Sequence, residues 1–108
     1  MSISMNMAED VLERFQDRIG DSWEKITDEQ RESLKLGAKM VFELGLRQKG
    51  GEDVSARLQA AESILLDWAA WAEAELRLAF LEVVKEVAKD LGVFLAKFAQ
   101  GAVAGFLL

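Results

Sequence analysis

Apolar residues at Ala8, Leu12, Phe15, Ile19 and Ile26, flanked by Val11 and Trp23, recur in threes and fours along the start of the chain. That spacing lines one face of a helix and predicts a first element over roughly 7–26. Asn6 or Ser4 can cap it, and Glu9 and Asp10 suit the positive end of its dipole. Gly20 costs about 1 kcal/mol relative to Ala in a helix interior, so a kink or early end is expected there. The run Thr27-Asp-Glu-Gln30 reads as a capping box opening a second helix. Leu34, Ala38, Val41 and Gly45 form its apolar line, broadened by Leu36, Met40, Phe42 and Leu46, with Arg31, Lys35 and Lys39 opposite. Gly50 and Gly51 stop it. Residues 1–51 are therefore expected to form a short antiparallel helical hairpin.

From Asp53, a candidate N-cap, no strong breaker occurs before Gly92. One long helix over 52–108 is expected, roughly 70 Å long if unbroken to about residue 100 at 1.5 Å per residue. Stepping by eleven along it gives Val54, Leu65, Leu76, Val87 and Phe98; then Leu58, Ala69, Phe80, Leu91 and Ala102; then Ala61, Ala72, Val83, Phe94 and Gly105. None of these is charged. An 11-residue period suits straight or right-handed helix packing. Leu81, Val84, Ala88, Leu95 and Ala99 add a second stripe. Two stripes call for two neighbours, the hairpin and a second subunit, so the expectation is a homo-oligomeric helical bundle.

Trp68 and Trp71 stand one turn apart. A ligand-stacking platform or an interfacial anchor is the alternative to burial in a core or subunit interface, which the spacing favours. The stretch from Gly92 to Leu108 is apolar apart from Lys97 and Gln100, and Gly101 and Gly105 form a small-xxx-small pair that lets helix backbones approach closely. It falls short of the roughly 20 residues of a conventional membrane span. The expected oligomer interface comprises Leu65, Trp68, Trp71, Leu76, Phe80, Val83, Val87, Leu91, Phe94, Phe98, Gly101 and Gly105. Insertion of residues 92–108 into a membrane as an oligomer is the alternative.

Composition narrows the function classes. The 108-residue chain is one domain's worth, with no proline and a helix-forming vocabulary, which predicts an all-α fold. A net charge of −6 argues against nucleic acid as a partner. Charge is uneven: residues 1–32 carry nine acids against four bases, and residues 33–51 one acid against four bases, complementary fields for a hairpin. The absence of His, Cys and Tyr removes the usual general base, thiol nucleophile, phenolic acid and imidazole ligand. Glu73, Glu75, Glu82, Glu86 and Asp90 read as the solvated back of the long helix, and Lys49-Gly-Gly51 lacks the spacing of a phosphate loop. No catalytic, cofactor or metal site is expected. The opening MSISMNMAED has neither the basic start nor the apolar run of a signal peptide, so cytoplasmic synthesis is expected.

The run AEDVLERFQDRIGDSWEKITDEQRE, followed by GGEDVSARL and an Ala-rich helix, resembles small acidic, all-helical proteins of unassigned role in tailed-phage and prophage genomes. That resemblance implies a virion component, an assembly factor for head or tail, or a membrane-active or ejection accessory, with other virion proteins as partners. The expected function is a non-enzymatic, homo-oligomeric structural or assembly protein. A membrane-associated protein whose apolar C-terminal residues insert as an oligomer is the alternative.

Overall fold

The computed structural model describes residues 3–70 and 72–99. The described residues are helical throughout their regular structure: α1 (Ile3–Ile19), a 3-10 turn (Gly20–Lys25), α2 (Asp28–Lys49), α3 (Ser55–Ala69), α4 (Ala74–Leu91) and the short α5 (Ala96–Ala99). The first helix covers Ile3–Ile19 and not the expected 7–26: Ser4 and Asn6, expected as caps, lie within it, and it ends early at Gly20, which takes a positive φ of 55°. The following turn brings Trp23 edge-on to Phe15 at 6.0 Å. The Arg31 guanidinium lies 4.5 Å over the Trp23 ring, and its Nη2 donates to the Trp23 carbonyl at 2.8 Å. The capping box at the start of α2 is complete: the Gln30 N–H donates to Thr27 Oγ1 at 3.1 Å, and the Thr27 N–H donates to Gln30 Oε1 at 2.9 Å.

Ion pairs fix the relative directions of the helices. Arg14 meets Asp90 at 3.1 Å, while Arg18, one turn later, meets Glu86 at 2.6 Å and Glu82 at 3.5 Å, so α1 and α4 run antiparallel. Lys49 Nζ donates to the Leu91 carbonyl at 2.7 Å, which brings the ends of α2 and α4 together. α2 is therefore antiparallel to α1 as well. The expected charge match across the α1–α2 hairpin is realised by Lys35 and Glu9 at 3.7 Å. The arginines of α1 turn instead to the acids of α4. Such half-exposed pairs contribute about 0–1 kcal/mol each and act chiefly on orientation.

α3 packs antiparallel on α2, with Leu65 and Trp68 beside Gly37. The result is an up-down-up-down bundle in which α2 pairs with α3, α1 with α2, and α1 with α4. The α3–α4 side, which lacks extensive direct pairing, is where α5 packs against both helices. Phe15, Leu34, Val41, Phe42, Leu65, Phe80, Leu81, Val83, Val84 and Phe98 are all nearly inaccessible and form one continuous core. Phe15 and Phe80 meet edge-to-face at 5.3 Å. The radius of gyration is 13.0 Å, about that of a compact domain of this length.

The single long helix expected over 52–108 is thus corrected: it is broken twice among the described residues. The first break, at Ala70–Glu73, has no glycine or proline. α3 ends in tight turns, the Ala70 N–H donating to the Asp67 carbonyl and the Ala72 N–H to the Ala69 carbonyl, both at 3.1 Å. Arg77 covers the Ala70 carbonyl with a donated bond at 3.4 Å. Reversal there puts Ala72 and Leu76 into the core instead of extending their stripe into water. The second break follows Leu91. Gly92 is left-handed at φ 68°, its N–H donates to the Lys89 carbonyl at 3.1 Å, and the Val93 N–H donates back to the Ala88 carbonyl at 2.9 Å. That pair of bonds is a Schellman cap, which satisfies carbonyls that a helix end leaves open.

Candidate functional site

Folding back changes what covers the apolar stripe. Leu65, Leu76, Phe80, Val83, Val87 and Phe98, expected to face a second subunit, are buried among the helices of their own chain. Their burial needs no partner, because α1, α2 and α5 occupy the place assigned to another subunit. Leu91 is partly buried against the same core, and Trp68 is half-buried with its ring edge 3.2 Å from where a Cβ on Gly37 would stand. Trp71, Gly101 and Gly105 lie outside the described residues. Phe94 differs from all of these, with 64% of its surface exposed.

The Schellman cap at Gly92 ends α4, and in the segment that follows Val93 and Leu95 are buried in the core while Phe94, between them, is exposed. Val93 is wedged against Gly45 of α2, whose missing side chain makes the space: a Cβ there would collide with Val93 Cγ1. Phe94 borders two clefts. One, of about 150 Å³, is lined by Ala88, Val93, Leu95 and Phe98, with Lys85 and Lys89 at its edge. The other, of about 120 Å³, lies between α2, α3 and α5 and is lined by Gln48, Ser55, Leu58, Gln59, Glu62 and Ala96.

Glu62 is the buried charged side chain of the described core, at 0% exposure. Its Oε1 accepts the backbone N–H of Lys97 at 2.8 Å and of Phe98 at 3.4 Å, which ties α5 to the middle of α3. Its Oε2 has no hydrogen-bonding partner, nor does the buried Oε1 of Gln48 in the same cleft. Burial pushes the Glu62 carboxyl above its ordinary value of 4.5, and the two backbone N–H bonds and the Lys97 charge pull the other way. The sequence carried a signal for this residue: Glu62 stands between Leu58 and Leu65–Leu66 at helical spacing, an acid in an apolar stripe.

Glu73, Glu75, Glu82, Glu86 and Asp90 do face solvent, as expected, but Glu82, Glu86 and Asp90 also hold the arginines of α1. Among the described residues no group of three or more acidic side chains comes together as a metal cage. No described helix is long and apolar enough to cross a membrane. No family model, curated protein or solved structure matches the chain. The geometry of the molecule therefore carries the functional argument.

Proposed function

We propose that this protein is a non-enzymatic assembly module that associates with a second copy of itself through the surface around Phe94. The observation that carries the reading is the exposure of that one aromatic, 64%, in a chain whose other phenylalanines with described side chains are buried. Of the exposed large apolar side chains, which include Leu36, Ile64 and Leu78, Phe94 offers the most area for a partner to bury, and it does so beside an apolar cleft. Knob and hole are adjacent. A two-fold axis through this face would set each Phe94 against its partner's open apolar cleft. Lys85 and Lys89 edge this cleft, while Glu82 and Glu86 on the same face are held by Arg18 of α1.

The resemblance to phage and prophage proteins suggests the setting, a virion component or an assembly factor whose other partners are virion proteins. Light scattering and vesicle flotation on the full chain test the reading together. A mass above 12.0 kDa that falls in Phe94→Asp, without co-flotation with anionic vesicles, supports self-association. Flotation with the vesicles that the same substitution abolishes would overturn it in favour of membrane insertion.

A further inference from the structure

Val93, Leu95 and Phe98 complete the core from a segment that follows α4, and helices other than α4 supply its distinctive contacts. Val93 stands against Gly45 of α2, where a Cβ would collide with it. The Lys97 and Phe98 amides donate to Glu62 Oε1 of α3 at 2.8 and 3.4 Å. α5 also fills the side of the bundle where α3 and α4 lack extensive direct pairing. The seat thus consists of a notch, a carboxylate and a gap, all built by residues before Gly92. Nothing in it requires that the segment come from the same chain. The tether to α4 is one residue, Gly92, left-handed at φ 68°. Glycine passes to the right-handed region without the penalty of a side chain, and α4 would then run on while the segment leads away from its own seat. The Val93 N–H would exchange the Ala88 carbonyl for that of Lys89, so that its hydrogen bond is kept.

We infer that two copies associate by exchanging this segment: residues 93–98 of each chain leave their own bundle and fill the seat of the partner, with Gly92 as the hinge. A second copy is the occupant because the seat is already filled by this sequence, and the partner's segment repeats every contact. Those contacts are the same in the closed chain and in the exchanged pair, so they do not decide between the two. The contact made only in the pair decides, and it forms at the hinge. Phe94 is two residues from Gly92, so chains joined through their hinges bring both exposed Phe94 rings close to the two-fold axis. An aromatic left exposed between two buried neighbours then has a place to be buried. The inference rests on the self-association proposed above and adds how the partner is engaged.

The notch supplies the probe. The chain has no cysteine, and a Cβ on Gly45 would stand 3.6 Å from the Val93 Cβ, inside the span of about 3.5–4.5 Å that a disulfide requires. Gly45 is buried, so a bond made there between chains needs the partner's segment in the seat. The double variant Gly45→Cys/Val93→Cys is oxidised with glutathione disulfide at a concentration where the wild type associates, then run on a denaturing gel without reductant. The expected product is a linked pair at twice 12.0 kDa, returned to 12.0 kDa by reductant. Oxidation after equilibration at high dilution is expected to tie each chain internally at 12.0 kDa. A second measurement uses the wild type: carbon-13-labelled and unlabelled chains are refolded together, and isotope-filtered NOEs are expected from the Val93 methyls of one chain to the Gly45 Hα of the other. Associated protein whose disulfides or Val93–Gly45 NOEs lie only within chains would overturn the exchange and leave docking through Phe94 standing. A wild type at 12.0 kDa at every concentration would overturn both.

Discussion

Gly45 and Thr27 show the two ways a single residue shapes this chain. Gly45 acts by what it lacks. Alanine there would gain about 1 kcal/mol in helix propensity. The added Cβ meets Val93, whose β-branched side chain is stiff and buried, so overpacking of about 1–3 kcal/mol opposes that gain. Gly45→Ala is expected to lower thermal stability and to unseat the 93–95 segment before the rest, seen as faster amide exchange at Val93 and Leu95. An unchanged or raised melting temperature would contradict the close approach. Thr27 acts by what it offers, one oxygen to an open backbone N–H, and Thr27→Ala should cost about 1 kcal/mol in denaturant unfolding. The capping box was legible because both partners lie within four residues and their chemistry is local. Glu62 was harder to read, since its carboxylate matters through α5, which lies 35 residues on and belonged to a different predicted geometry.

At the level of elements, α1 and α2 end at the glycines that signalled their ends, Gly20 and Gly50, whereas α4 ends at Gly92, through which the expected long helix over 52–108 ran. The turn at Ala70–Glu73 does not announce itself, because good helix formers occupy it and the reversal is driven by burial of Ala72 and Leu76. The eleven-residue stripe illustrates the same division. All of its described members except Phe94 are buried or partly buried, so the period identified a packing face across two breaks. A period cannot say which helix covers that face, and here the covering helices are the chain's own. The α4 terminus is testable separately. Gly92→Ala forces a side chain into a left-handed position at a cost of about 1–2 kcal/mol, and the Cβ would also stand 3.0 Å from Lys49 Nζ. Hydrogen exchange should show fraying of the last turn of α4 with α2 unchanged, and uniform loss of protection across the bundle would contradict this account.

For the whole molecule, closure of four helices on one core separates folding from association. Val83, part of the expected subunit interface, is 0% exposed within one chain, so Val83→Glu buries an unpaired charge and should unfold the protein instead of yielding a folded monomer. Circular dichroism at low temperature would register the loss of helix, and a helical, cooperatively melting variant of reduced mass would return Val83 to a subunit interface. Phe94 has the opposite status: it lies outside the core and its removal should leave the bundle intact. Sedimentation velocity of the wild type and Phe94→Ser across a range of concentrations tests the central claim most directly. The account predicts a wild-type species heavier than 12.0 kDa, and a Phe94→Ser species at 12.0 kDa with the same helical content and melting temperature. A wild type that stays at 12.0 kDa throughout, or a Phe94→Ser protein that associates as strongly, would contradict it.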